Sequence, residues 1–212
     1  SLEEMAGDLL GLPFATCLRM SDAGYISAAQ ENLDISYNSI EAYCQALTPG
    51  LKETYGPYQR FKPIAGNYQQ LNDAILQIEN EFYSNIRPKR TSSSNRRPIH
   101  ALRENGIEYL EVRCIDLDPF EAGGISAEAC YFIDTFLLAC AISKSPLDSP
   151  KESSSIDKNQ KLVAKTGREE QLRLSKDGRP CLLQEYAKDV LDACSAAAEI
   201  LDNANKTRDF SH

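Results

Sequence analysis

The chain has 212 residues, of which 42% are hydrophobic and 25% charged, a balance that suits a soluble folded domain with a real core. A formal net charge of −8 speaks against general binding to nucleic acid or to an anionic membrane surface. The strongest apolar run, Ala129 to Ile142, is interrupted by Asp134 and Thr135 and is too short to span a bilayer.

The first residues, Ser-Leu-Glu-Glu-Met, lack the basic segment and apolar core of a signal peptide. Seven cysteines (Cys17, Cys44, Cys114, Cys130, Cys140, Cys181 and Cys194) are an odd number without CxxC or CxxH spacing. That pattern fits free thiols in a reduced, cytoplasmic protein better than a disulfide framework or a zinc site. The chain opens in what reads as a loop and closes on the polar tail Asn-Lys-Thr-Arg-Asp-Phe-Ser-His. It is therefore expected to be a fragment, a single partial domain over 1–212.

The first chemically dense segment is Leu18-Arg19-Met20-Ser21-Asp22-Ala23-Gly24-Tyr25. A cation, a hydroxyl, a carboxylate, a permissive glycine and a phenol in one loop suit an amino acid's carboxylate and ammonium groups. A plain turn with an Asp–Arg contact fits the same residues. Residues 38–48 have helical spacing, with Asn38 or Ser39 able to cap the start. A Pro- and Gly-punctuated stretch follows from Pro49 to Gly66.

Residues 74–83 alternate, with Ile78, Asn80 and Phe82 on one side and Glu79, Glu81 and Tyr83 on the other, which predicts a strand. A Ser- and Arg-rich loop is expected from Arg87 to Pro98. Between Glu81 and Glu104 there is no acidic residue, while Arg87, Lys89, Arg90, Arg96, Arg97 and Arg103 all occur. Such a field suits a polyphosphate, or simply a solvated loop. Few aromatic residues are interleaved, which disfavours single-stranded nucleic acid.

A short helix is expected over Ile99 to Glu104 and a strand over Ile107 to Leu117. In that strand Ile107, Tyr109, Glu111, Arg113 and Ile115 share one face. Glu111 offers an oxygen ligand to a hard divalent cation, and Arg113 a guanidinium to a phosphate or developing oxyanion. A cross-strand salt bridge on a solvated face is the competing reading. Residues 126–143 read as a buried, nearly all-round apolar helix capped by Ser126. Residues 145–160, rich in Ser, Lys, Asp and Pro, read as a mobile loop. Residues 184–203 read as an amphipathic helix with Ala187, Val190, Leu191, Cys194, Ala198 and Leu201 on one stripe. The order of elements favours an α+β fold with an antiparallel sheet. His100 is the only interior histidine, and neither GxGxxG nor a Walker-type loop is present.

Three ordered blocks carry a resemblance. Leu-Arg-Met-Ser-Asp-x-Gly-Tyr (18–25), Leu-Gln-Ile-Glu-Asn-Glu-x-Tyr-x-x-Ile-Arg-Pro-Lys-Arg (76–90) and Gly-Ile-Glu-Tyr-Leu-Glu-Val-Arg-x-x-Asp-Leu-Asp-Pro-Phe (106–120) together resemble glutamate–cysteine ligases of the proteobacterial type. The resemblance implies a glutamine-synthetase-like antiparallel sheet with helices packed on one side. It implies that ATP phosphorylates the γ-carboxylate of glutamate and that the cysteine amine attacks the γ-glutamyl phosphate, the first step of glutathione biosynthesis. By similarity, Glu111 matches a ligand of Mg²⁺ (or Mn²⁺ in its place), and Arg113 a residue facing the transferred phosphate. Arg19, Tyr25 and Tyr83 match residues on the cysteine side, and Arg87 and Lys89 match contacts to the ATP phosphates. The resemblance also implies small-molecule partners only, namely glutamate, cysteine and ATP. The family's other metal-binding carboxylates have no counterpart in this sequence, so the chain alone is expected to be inactive. Competing readings are a carboxylate–amine ligase with another acceptor, and a non-catalytic binding module derived from such a ligase.

Overall fold

The computed structural model describes residues 3–24, 27–91 and 96–211. Its elements in chain order are β1 (Glu3–Ala6), β2 (Leu9–Gly11), α1 (Ile40–Gly50), β3 (Ile86–Lys89), α2 (Pro98–Asn105) and β4 (Tyr109–Val112). Then follow α3 (Ala127–Ile142), α4 (Pro150–Thr166), β5 (Arg173–Lys176), β6 (Arg179–Leu182) and α5 (Leu183–Asn205). Helices and small antiparallel sheets together make an α+β fold. The described strands form three antiparallel pairs, β1 with β2, β3 with β4 and β5 with β6. The chain divides into two compact units, Ser1–Asp22 with Asp116–His212, and Ala23–Ile115.

The Ala23–Ile115 unit is built around α1. Ser39 caps it by accepting a hydrogen bond from the Ala42 N–H at 3.0 Å, satisfying one of the amides a helix start leaves open. The buried face of α1, Tyr43, Cys44 and Leu47, packs with Ile99 and Leu102 of α2 and with Leu76 and Phe82. Helix α2 begins with Pro98 at its first turn and ends at Gly106, whose φ of 75° supplies the positive-φ stop.

The strand expected over 74–83 is absent. The chain there follows an irregular path with one 3-10 turn at Glu79–Glu81. Local side chains take over the backbone groups a strand would pair: Glu81 Oε2 accepts from Gln77 N at 2.6 Å and Gln77 Oε1 accepts from Leu71 N at 2.9 Å. The partner of β4 is β3, whose residues Arg87 to Lys89 fall at the start of the expected Arg87–Pro98 loop.

In the other unit, α3 and α5 pack through Ala139, Cys194 and Ala197, flanked by Leu138 and Val190. The small residues let the two backbones approach closely. Ser126 caps α3 as expected, accepting from Ala129 N at 3.1 Å. The helix is not buried all round: only Thr135 and Ala139 are fully covered, and Phe132 is 48% exposed. A single neighbouring helix covers one stripe, whatever the apolarity of the rest.

The segment expected as a loop over 145–160 is mostly helix α4. Ser149 caps it at Glu152 N, 3.3 Å away, with Pro150 in the first turn. Asn159 on α4 then acts as a strand edge for β5, donating to Ser175 O at 2.7 Å and accepting from Ser175 N at 2.9 Å. The β5–β6 turn is Asp177-Gly178, with φ of 51° and 73°, the conformation that matches strand twist in a two-residue hairpin.

Candidate functional site

Register places the chemistry of the Ala23–Ile115 unit. In the β3–β4 pair Arg87 stands opposite Glu111 and Lys89 opposite Tyr109, so their side chains leave the sheet on one face. Arg113 follows Glu111 on that face, and its N–H continues the ladder to Asn85 O at 2.7 Å.

Glu111 is held between two cations. Arg113 NH1 donates to Oε1 at 3.0 Å, and Lys89 Nζ lies 3.3 Å from Oε2. Lys89 also donates to Asn80 Oδ1 at 3.0 Å. Partial burial alone would raise the Glu111 pKa. The hydrogen bond and charge of Lys89, with the charges of Arg113 and Arg87, outweigh it and hold the carboxyl below its ordinary range.

Tyr83 adds an aromatic face to this group. Its ring centroid lies 5.2 Å from the Arg113 guanidinium and 5.5 Å from that of Arg87, within cation–π range for both. Its backbone N–H donates to Gln30 Oε1 at 2.9 Å, and Gln30 Nε2 donates to Glu81 O at 2.8 Å. Gln30 thus clips the segment that presents Tyr83, a contact with no sequence signal.

Arg87 is placed differently from a solvent-facing phosphate contact. It is 4% exposed, and its guanidinium donates to the carbonyls of Asn80, at 2.9 Å, and Phe82. Burial, with the nearby charge of Arg113, lowers its pKa. The Nε atoms of Arg87 and Arg113 and Oε1 of Glu79 are buried without a hydrogen-bond partner. Arg87 and Glu79 line a cavity of about 190 Å³ together with Asn80, Lys89, Arg90 and Tyr109. Its charged lining, Arg87, Lys89 and Arg90 against Glu79, is net cationic, which suits an anionic ligand.

The same residues do not by themselves fit a divalent cation. Among the described residues no three His, Cys, Asp or Glu side chains come together. The one central carboxylate, Glu111, already faces two cations, whereas Mg²⁺ needs several oxygen ligands.

Arg19 belongs to the other unit. There the Asp116 carboxylate accepts from the N–H groups of Leu18, at 2.6 Å, and Arg19, at 2.7 Å. Asp22 lies 3.7 Å from Lys165. Tyr25 falls outside the described residues. The structure therefore groups Tyr83, Arg87, Lys89, Glu111 and Arg113 within one unit and describes Arg19 in the other.

Comparison with known proteins gives the ancestry. Residues 1–163 match a family model described as glutamate–cysteine ligase. A glutamate–cysteine ligase of Pseudomonas putida (strain W619) is 45% identical over 204 residues, covering 96% of this chain and 39% of the relative. One of Janthinobacterium sp. (strain Marseille) is 42% identical over 202 residues, covering 95% of this chain and 38% of the relative. Among solved structures, a crystal structure of the Francisella tularensis glutamate–cysteine ligase in complex with AMP matches with a TM-score of 0.83 and 40% identity. That match covers 90% of this chain and 39% of the other, so the chain spans under two fifths of the length of these relatives. On the family match, the identities and the shared fold, this chain belongs to the glutamate–cysteine ligase family.

Proposed function

We propose that this chain supplies part of the site for ATP-dependent joining of L-glutamate, through its γ-carboxylate, to L-cysteine by way of a γ-glutamyl phosphate. The observation that carries the reading is the position of Glu111 between Lys89 and Arg113, with Tyr83 against Arg113. A phosphoryl group in transfer spreads negative charge over its oxygens, and fixed cations that meet it lower the barrier. Arg113 is the residue for that task, and Lys89 a contact to the ATP phosphates. Arg87, whose donors go to main-chain carbonyls, meets phosphate only through the charge it adds to the cavity.

Arg19, Tyr25 and Tyr83 are proposed to face the cysteine substrate, the guanidinium and phenols suiting its carboxylate. A magnesium ion would supply charge neutralisation at the phosphates. Glu111 would be one oxygen ligand for it, and the remaining ligands would have to come from the nucleotide and from residues beyond those described. The β3–β4 pair is read as part of a larger glutamine-synthetase-like antiparallel sheet. A cytoplasmic setting and small-molecule partners fit this chemistry, and among the described residues no helix is long and apolar enough to cross a membrane.

The test is phosphate release from ATP by a full-length ligase framework carrying this chain. Release is expected to require both glutamate and cysteine, and Arg113→Ala is expected to lower kcat by about 100-fold or more. Release without either amino acid, or indifference to Arg113→Ala, contradicts the reading. The isolated chain is expected to show no turnover.

A further inference from the structure

We propose that Asp116 is the positioning residue that sets Arg19 for the amino-acid substrate, by clamping the backbone of Leu18 and Arg19 from about a hundred residues away in sequence. The inference rests on the substrate role given to Arg19 above.

Asp116 lies within the third sequence block but serves the first. One carboxylate takes three donors from consecutive residues: Leu18 N–H on Oδ2 at 2.6 Å, Arg19 N–H on Oδ1 at 2.7 Å and the Cys17 thiol on Oδ1 at 3.5 Å. Two adjacent amides on the two oxygens of one ionised carboxylate form a bidentate, charge-assisted pair, short and geometrically specific. Partial burial would raise the Asp116 pKa, but the Arg19 and Leu18 amides, Cys17 and the Arg19 charge together hold it below its ordinary range. The thiol of Cys17 is pushed upward, chiefly by burial, so it stays a neutral donor to the carboxylate.

The other side of the loop is fixed as well. The N–H groups of Thr16 and Cys17 donate to Ala164 O, at 3.0 and 3.4 Å, and Arg168 N–H donates to Phe14 O at 3.0 Å. Thr16 Oγ1 donates to Val163 O at 2.6 Å. Two of these bonds use Ala164 O, a carbonyl that the end of α4 would leave unpaired, while Val163 O also accepts from Gly167 N at 2.8 Å. The α4 contacts therefore anchor residues 14–17. Among the described residues, Asp116 is what reaches onward to the amide of Arg19, the point from which the guanidinium is aimed. Ser21 Oγ donates to Leu18 O at 2.8 Å and closes the turn behind it. A side chain with several rotatable bonds binds a carboxylate well only when its root is held, and an unheld root is expressed as weaker binding rather than slower chemistry.

Asp116→Asn keeps the shape but offers one acceptor and turns an amide NH₂ toward a backbone N–H. Amide exchange of Leu18 and Arg19 in the 212-residue chain should accelerate at least 10-fold in this variant, with little change at α5. In a full-length ligase framework, Asp116→Asn should raise KM for the amino-acid acceptor about 10-fold, with kcat and KM for ATP within about 2-fold. Asp116→Glu, which keeps both oxygens, should recover part of the loss. In an Arg19→Ala background Asp116→Asn should have no further effect on that KM, because the residue acts through Arg19. A full additional effect in that background, or unchanged exchange at Leu18 and Arg19, overturns the proposal. Loss of exchange protection with no glutamate- and cysteine-dependent turnover in the unmutated framework would leave the clamp standing and refute the ligase reading.

Discussion

Arg87 and Glu111 face each other directly across the β3–β4 register, yet each makes its closest polar contacts elsewhere. Arg87 turns to the carbonyls of Asn80 and Phe82, and Glu111 to Lys89 and Arg113. This division separates the cations of one block into one that holds main-chain carbonyls and one that pairs with a carboxylate. Arg87 braces the turn that presents Tyr83, while Lys89 stays partly exposed on the cavity wall.

The two cations should therefore respond differently to removal. Arg87→Met would leave two backbone carbonyls without their donor and cost roughly 2–4 kcal/mol of unfolding free energy. Lys89→Met, at a partly exposed ion pair, should cost under about 1 kcal/mol. Urea unfolding of the two variants checks this. Equal costs would mean that Arg87 does not hold the turn.

Leu76 and Phe132 offer a second contrast, in packing. Leu76 is fully buried in the cluster around α1, whereas Phe132 on α3 is 48% exposed. Leu76→Ala should cost about 2–5 kcal/mol through lost transfer free energy and the cavity left behind. Phe132→Ser should stay within about 1 kcal/mol. Thermal or urea midpoints decide, and a large loss at Phe132 would mean that its face is covered in solution.

Much of this architecture was legible because the local signals agreed. Ser39 and Ser126 sit before regular helical runs, and both cap α1 and α3 as their positions suggest. Glu111 and Arg113 were paired from spacing alone, since a strand puts residues two apart on one face, and the Arg113–Glu111 contact at 3.0 Å follows from it. What failed was alternation without a partner. Residues 77–83 alternate as a strand would, but Glu81 and Gln77 bond to nearby amides and curl the chain instead. Helix α4 was hidden by its polar composition, although Ser149, Pro150 and Glu152 form a helix-start signal of their own. The Asp177-Gly178 hairpin likewise had its turn dipeptide in plain sight. The contacts of Asp116 and Gln30 had no local signal at all, because each meets its partners across long stretches of chain.

Acidity tests the charge balance at Glu111. Its pKa in the folded chain is depressed, because Lys89 and the two arginines outweigh the effect of burial. A carboxyl with a folded pKa below its unfolded value adds stability that is complete above the unfolded pKa, about 4.3 for glutamate. That stability is lost as the pH falls through the folded value. Wild-type chain should therefore be more stable than Glu111→Gln near neutral pH, and the gap should close below about pH 4. Urea midpoints measured across that range check the sign. A gap that grows on acidification contradicts it.

Glu111→Gln also separates an anion site from a metal site in the isolated chain. With Glu111 ionised, the charges of Lys89 and Arg113 are partly neutralised before any ligand arrives. Removing that carboxylate charge leaves both cations for a polyphosphate, and a pair of partly exposed charges is worth about 1 kcal/mol after screening. Inorganic tripolyphosphate should thus bind Glu111→Gln about 5-fold more tightly than the wild-type chain, with the difference shrinking as salt is added. Arg113→Ala should move affinity the other way. Mn²⁺ added alone should bind both chains weakly and alike, since one carboxylate flanked by two cations is a poor ligand set. Calorimetric titration of each ligand into each variant gives the answer. Strong Mn²⁺ binding that disappears in Glu111→Gln would make this carboxylate a metal ligand already within the 212 residues, and unchanged tripolyphosphate affinity would mean that its charge does not limit anion binding at Lys89 and Arg113.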